Sequence, residues 1–279
     1  MNSLQRLESI LTAIYDNKRH LETAADQVYM AALRTGVSLD VLLDEIESNN
    51  LFDTDSFITA SKGNVFEYVR EEFRNCVERF VNITAGGNGG MASIGRGEFM
   101  ISFSSNFQAK ISKSGKGDLE YVCYLINKII NEEMKWNGGK INVAETQGKD
   151  VSKNLLSLLK ENNEYHFLVD SDFVPFRKSD KKKYDLDVLN ILNARFWQSL
   201  TGEIISSLSD NQLKELCLRR AFDSTFSKSD SILIVNEDGQ FVRFTNANDA
   251  VEYYNKKIGE VKLEIRSKQT NPISIYLFV

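Results

Sequence analysis

The chain has 279 residues, of which 42% are hydrophobic and 26% are charged, a balance typical of a globular protein with a sizeable core. Its 34 basic and 39 acidic residues leave a net charge of −5, which argues against a protein that coats nucleic acid non-specifically. No run of about 20 apolar residues is present, and the amphipathic N-terminus carries acidic residues. The sequence therefore predicts no membrane span, no signal peptide and a cytoplasmic location.

The cysteines and histidines limit the kinds of site that the chain can build. Cys76, Cys123 and Cys217 lie far apart in apolar stretches, which predicts buried free thiols rather than a disulfide framework or a zinc site. With only two histidines in the chain, a histidine-rich metal site is disfavoured. Any bound metal must therefore be held by oxygen atoms.

Residues 1–83 are predicted to be helical, because apolar residues recur there at helical spacing. The predicted helices start with an amphipathic segment at the N-terminus and continue with Ala24–Thr35, Ser38–Glu47 and Asn64–Ile83. Ser38 is the expected N-cap of the third helix. The fourth should bury one long side, formed by Phe66, Val69, Phe73, Val77 and Phe80.

Residues 84–97 contain six glycines, which predicts a linker or a loop that closes over a ligand. After it, Phe99, Ile101 and Phe103 alternate with polar residues as in a half-buried strand, although a short helix opening at Glu98 fits as well. Gln108–Ser112 is predicted to be a strand.

The stretch from Asp118 to Met134 supports two interpretations. Its β-forming residues favour a strand over 118–125 that leaves Asp118 at its base, and this is the interpretation we adopt. Its apolar residues also match the stripe of one amphipathic helix that Asp118 would cap. In that case the function could not be read from the sequence.

The remaining elements follow from apolar runs and turn signals. The predicted elements are strand Lys140–Glu145, helices Val151–Lys160, Val188–Leu208 and Asp210–Ala221, a hairpin of Ser231–Val235 and Gln240–Phe244, helix Ala247–Lys257, and strands Val261–Ile265 and Ile273–Phe278. The predicted organisation is a helical region at 1–84 followed by an α/β core at 85–279, with a mixed central sheet flanked by helices.

Three acidic residues stand in separate segments, two of them directly beside glycines. They occur in the runs GRGE (95–98), GKGD (115–118) and VAETQGK (143–149). Three carboxylates delivered by three segments are suited to a hard cation such as Mg²⁺, and glycines let the backbone approach a ligand closely. Taken singly, each run is more often an ordinary loop, cap or strand edge than a functional site.

Taken in order, the three runs resemble the PD-(D/E)xK nuclease superfamily, most of all its divergent members in tailed bacteriophages. In that pattern a helix starting with Gly-x-Gly-Glu precedes a Gly-x-Gly-Asp strand and a Glu-x-Lys strand. The resemblance covers about 55 residues of this chain, and Gln147 stands where the pattern has lysine. It implies a restriction-endonuclease-like core.

The resemblance also implies a reaction, the hydrolysis of phosphodiester bonds in DNA with Mg²⁺, for which Mn²⁺ can substitute. Its implied site residues are Glu98, Asp118 and Glu145 as metal ligands, Gln147 and Lys149 as groups that position water, and Arg96 and Lys116 as phosphate contacts. The enzyme interpretation requires Glu98, Asp118 and Glu145 to converge.

The alternative function is non-catalytic: a bacteriophage virion, assembly or DNA-end-binding protein that retains the nuclease-like fold. Besides DNA, the partners compatible with either interpretation are a second copy of the chain or phage structural proteins. For a phage protein the expected location is the host cytoplasm or the virion.

Overall fold

The computed structural model describes residues 2–15, 17–83, 94–112, 117–123, 127–137, 139–143, 209–265 and 273–279. The chain divides into two compact units. The first comprises Met1–Gly138, Lys228–Thr245 and Phe278–Val279, and the second comprises Gly139–Ser227 and Asn246–Leu277. The boundary predicted at residues 84 and 85 lies outside the described residues. In the part of the chain that the structure describes, no helix is long and apolar enough to cross a bilayer.

Three N-terminal helices lie where the apolar spacing predicts helix. They are α1 (Ser3–Leu11), α2 (Lys18–Thr35), which begins before the predicted Ala24, and α3 (Leu39–Glu47). A further helix, α4 (Thr54–Thr59), is not among those predicted. Asn2 and Gln5 form a capping box at the start of α1, and Gly36 ends α2 in the left-handed conformation (φ 72°). Ser38 occupies the N-cap position of α3 but makes no side-chain capping hydrogen bond.

The prediction of one long helix over Asn64–Ile83 is wrong. The segment contains strand β1 (Lys62–Asn64), short 3₁₀ turns, and only one α-helical stretch, α5 (Arg74–Glu78). Long-range backbone hydrogen bonds interrupt it, because Tyr68 accepts from Asp53 and Arg70 donates to Leu51. These bonds hold Val69 in an extended bridge to Phe52, where the helix cannot continue. Four of the five residues predicted to face the core are nevertheless buried.

Helix α6 (Glu98–Ser104) occupies the segment where alternation favoured a strand, so the alternative, a helix opening at Glu98, is correct. The six residues after Glu98 are all buried, Ser102 and Ser104 among them, so no exposed polar side marks the helical period.

A six-stranded mixed sheet forms the centre of the first unit. Besides β1 it contains β2 (Ala109–Ile111), β3 (Leu119–Cys123), β4 (Lys128–Trp136), β6 (Ser231–Val235) and β7 (Gln240–Phe244). The strands lie in the order β1-β7-β6-β4-β3-β2. Strands β4 and β6 pair in parallel, and all other neighbours in the sheet are antiparallel. The strand interpretation after Asp118 is therefore confirmed, and the single helix to Met134 is excluded.

Strand β4 alternates between two faces of the sheet. Glu132, Met134 and Trp136 are buried on the face that we call the core face, where Met134 and Trp136 join the hydrophobic core formed with the N-terminal helices. Glu133 and Lys135 point to the opposite face, which we call the site face, and both are only partly buried.

The second unit contains the remaining predicted elements. They are β5 (Lys140–Asn142), α7 (Asp210–Phe226), α8 (Ala247–Asn255), β8 (Lys262–Ile265) and β9 (Ile273–Tyr276), with the strands in the order β5-β9-β8. Helices α7 and α8 pack together through the stacked rings of Phe222 and Tyr254, whose centroids are 5.7 Å apart. The helices predicted at Val151–Lys160 and Val188–Leu208 lie outside the described residues.

Candidate active site

Glu98 is the first residue of α6, and glycines determine where it lies. Gly97 has φ +77°, and a Cβ atom at this position would overlap the ring of Trp136 in β4. A Cβ atom on Gly95 would overlap the carboxylate of Glu98 itself. Glycine at both positions therefore lets the start of α6 lie directly beside β4 and leaves room for the Glu98 carboxylate.

Asp118 lies against β4 in the same way. The Asp118 amide donates to the Glu132 carbonyl oxygen at 2.9 Å, and Asp118 Oδ2 accepts from the Met134 amide at 2.8 Å. Gly117 precedes it with φ +126°, and a Cβ atom there would lie 2.9 Å from the Glu132 carbonyl oxygen. The backbone at 117 and 118 is thus held tightly against one point of β4.

Lys135 brings two carboxylates together on the site face. Its Nζ lies 2.5 Å from Glu133 Oε1 and 3.2 Å from Asp118 Oδ2, and it also donates to the Met134 carbonyl oxygen at 3.0 Å. The Lys135 side chain is only 18% exposed. Since solvent screens such a half-buried group weakly, these are strong charge-assisted contacts.

The charges of this cluster act on Glu98. Burial and the neighbouring charge of Asp118 raise the pKa of Glu98 to about 7; Glu133 adds to this effect, while a hydrogen bond from the Gly95 amide and the charge of Lys135 oppose it. For Lys135, burial alone would lower the pKa, but Asp118 and Glu133 outweigh it and hold the pKa above its ordinary value. Lys135 is consequently a cation at neutral pH, and Glu98 changes its charge there.

The structure brings Glu98 close enough to Asp118 for their charges to interact, together with two residues that sequence reasoning missed. Glu133 and Lys135 form a Glu-x-Lys unit on the strand that pairs with β3. The signal was present in the run EEMK (132–135). It was overlooked because the helix stripe through 119–134 hid the period-two alternation of β4.

The other predicted site residues have different outcomes. Arg96 is described and exposed, two residues before Glu98. Glu145, Gln147, Lys149 and Lys116 lie outside the described residues, so their convergence on the site stays a prediction.

Among the described side chains, no group of three or more His, Cys, Asp and Glu residues is arranged to hold a metal ion. At Lys135, one ammonium group instead contacts two carboxylates, those of Asp118 and Glu133. Burial and the charges of both carboxylates raise the pKa of Glu98. Carboxylates are the ligands that a divalent cation prefers in a protein, and an ammonium group is a donor suited to a phosphate oxygen.

Comparison with known proteins adds no family assignment to this geometry. No protein-family model, no curated protein and no solved structure matches the chain.

Proposed function

We propose that the protein is a Mg²⁺-dependent nuclease that hydrolyses phosphodiester bonds in DNA, with Asp118, Glu133 and Lys135 as its central residues. The observation that carries the proposal is the convergence of the Asp118 and Glu133 carboxylates on the Lys135 ammonium group. In this assignment Glu133-Met134-Lys135 is the Glu-x-Lys strand of the superfamily pattern. The pattern's lysine is then present, and Gln147 does not have to replace it.

The order of elements supports a restriction-endonuclease-like core. A helix that opens with Glu98 precedes the antiparallel strands β2, β3 and β4, and the acids of the pattern follow on adjacent strands. Asp118 stands at the base of β3, and Glu133 lies on β4 next to it. This is the helix–strand–strand order of the PD-(D/E)xK pattern. In this assignment β4 is the strand that carries the second acid, a role predicted from the sequence for residues 140–145.

The donor set fits Mg²⁺. This ion is usually bound through one or two carboxylates, several waters and the phosphates of its substrate, so a site of two acids is sufficient. Asp118 and Glu133 would hold the ion, and Glu98 would add a third carboxylate once it loses its proton. A bound Mg²⁺ supplies polarisation of the scissile phosphate and a more acidic water.

The protein's own residues account for the remaining roles. Because Lys135 is a cation, we assign to it the donation of hydrogen bonds to a phosphate oxygen or to the attacking water, and not the removal of a proton. Exposed Arg96 is the described candidate for contact with a neighbouring phosphate.

Plasmid nicking with Mg²⁺ or Mn²⁺ tests the proposal. We expect cleavage by the natural protein and a loss of at least about 100-fold in Asp118→Ala, Glu133→Gln and Lys135→Met. Glu120→Gln is the matched control, because Glu120 lies in β3 two residues after Asp118 and pairs with Asn131. Cleavage that survives Asp118→Ala and Glu133→Gln would show that these residues are not the site.

The variant Glu145→Gln separates the two assignments of the second acid. If Glu133 is the ligand, Glu145→Gln keeps its activity, whereas a loss confined to Glu145→Gln would favour the assignment made from the sequence. DNA binding by the natural protein without metal-dependent cleavage would instead support the non-catalytic DNA-end-binding function.

A further inference from the structure

Glu132 is a fully buried carboxylate next to the candidate site, and the proposed mechanism makes no use of it. It lies on the core face of β4, between Asn131 and the site residue Glu133. Its Oε1 accepts hydrogen bonds from Arg243 Nε at 2.6 Å, from Ser231 Oγ at 2.9 Å and from Tyr121 OH at 3.3 Å. A buried charge with this many partners is held in one position.

Arg243 extends the network to a second region of the fold. Its Nη1 donates to the carbonyl oxygens of Phe57 at 2.5 Å and Ala60 at 2.6 Å, both at the C-terminal end of α4. Its guanidinium carbon lies 4.7 Å from the centre of the Phe57 ring. The side chain of Glu132 therefore joins β4 to β3, β6, β7 and α4 at once.

The backbone of Glu132 contacts the site directly. Its carbonyl oxygen accepts the hydrogen bond from the Asp118 amide, and its backbone is the part of β4 that leaves no space for a Cβ atom at Gly117. Because successive side chains of a strand alternate, the burial of Glu132 also directs Glu133 to the site face. One residue thus links the buried network to both Asp118 and Glu133.

We propose that Glu132, held by Arg243, is a positioning residue that sets the distance between the Asp118 and Glu133 carboxylates. Because buried ion pairs are often replaceable by apolar residues without loss of stability, stability alone does not account for this pair, whereas its directional hydrogen bonds hold Glu132 in one position. The expected effect on catalysis rests on the proposed function. The geometric part does not depend on that function: the Glu132–Arg243 pair holds β4 so that its backbone keeps its hydrogen bonds with Asp118.

The double variant Glu132→Met with Arg243→Met tests the proposal in the full-length chain. We expect a folded protein whose kcat in DNA cleavage and whose Mn²⁺ affinity fall by about 10–100-fold, while KM for DNA changes by less than about threefold. The control is Arg70→Met with Glu45→Met, which removes an ion pair of the N-terminal region and should leave all three quantities unchanged. A folded double variant with natural kcat and Mn²⁺ affinity would overturn the proposal.

Ser231→Ala provides the second test if the double variant does not fold. It removes one hydrogen bond to Glu132 and should lower Mn²⁺ affinity roughly threefold. Ser274→Ala is its matched control, because Ser274 is also buried and donates to the side-chain oxygen of Asn142 at 3.0 Å in the other compact unit. Equal Mn²⁺ affinity in the two serine variants would count against a positioning role.

A third measurement separates this proposal from the proposed function. If the natural protein neither cleaves DNA nor binds Mn²⁺, the nuclease proposal fails, but hydrogen exchange of the Asp118 and Met134 amides still reports the geometry. We expect faster exchange of these two amides in Ser231→Ala than in Ser274→Ala at matched global stability. Unchanged exchange would overturn the geometric part.

Discussion

Lys135 neutralises two carboxylates that would otherwise repel each other. In Lys135→Met, Asp118 and Glu133 face each other in a half-buried site without a counter-charge. We expect the free energy of unfolding to fall by about 1–3 kcal/mol without divalent metal, measured by urea denaturation in EDTA. Added Mg²⁺ should recover much of the loss if it binds between the carboxylates.

The control for this prediction is Lys135→Arg, which keeps the charge but changes the geometry of the donor. It should retain most of the stability in EDTA while losing cleavage. A Lys135→Met protein as stable as the natural one in EDTA would contradict the neutralising role of this lysine.

Glu98 should make the stability of the protein depend on pH. Its pKa of about 7 in the folded protein lies above the ordinary value of about 4.3. The folded state therefore binds the proton more tightly, and stability falls as pH rises through the window between these values. Glu98→Gln should remove this loss and raise the free energy of unfolding at pH 8 by on the order of 2 kcal/mol, with no gain at pH 4.

Urea denaturation in EDTA at both pH values checks this. An equal effect of Glu98→Gln at pH 4 and pH 8 would mean that Glu98 does not titrate in the predicted window.

At the scale of the elements, the junction between α6 and β4 depends on one glycine. Gly97→Ala combines a left-handed backbone with overlap of the Trp136 ring, and it should cost about 2–4 kcal/mol of stability. Gly36→Ala is the matched control, because Gly36 has a similar φ of +72° but open space around it, so only the backbone term of about 1 kcal/mol applies. Equal losses in the two variants would show that the contact with Trp136 does not limit the position of α6.

Local signals predicted some elements and not others. The hairpin of β6 and β7 matches its prediction because the turn before Gly239, with φ +80°, is encoded in three adjacent residues. The helix predicted over 64–83 is wrong because the segment forms backbone hydrogen bonds with residues 51 and 53 instead. No local pattern in the sequence reveals these bonds. Strand β4 was not predicted for a related reason, since pairing with β3 and β6 determines its conformation.

At the scale of the whole molecule, the first unit is assembled from separated pieces of chain. Strands β6 and β7 come from the segment Lys228–Thr245, yet they lie in the sheet between β1 and β4. A fragment of residues 1–138 lacks both strands and the core residues Leu233, Val235 and Phe241. We expect it to show no cooperative thermal transition by circular dichroism, whereas a fragment of residues 1–245 should retain one. Cooperative unfolding of the shorter fragment would contradict this account of the core.

The sequence by itself determined the features that depend on neighbouring residues. These include helices α1, α2 and α3, the hairpin at 231–244 and the glycines that precede Glu98 and Asp118. It did not determine which later glutamate lies beside Asp118. Both Glu133, in the run Glu-Met-Lys, and Glu145, in the run Glu-Thr-Gln, follow Asp118 in the chain. The tertiary structure decided that Lys135 contacts both Asp118 and Glu133, since hydrogen bonds between strands set the register of β3 on β4. Strand β4 also contacts Arg243 through Glu132, and these two residues are 111 positions apart, beyond the reach of any local pattern.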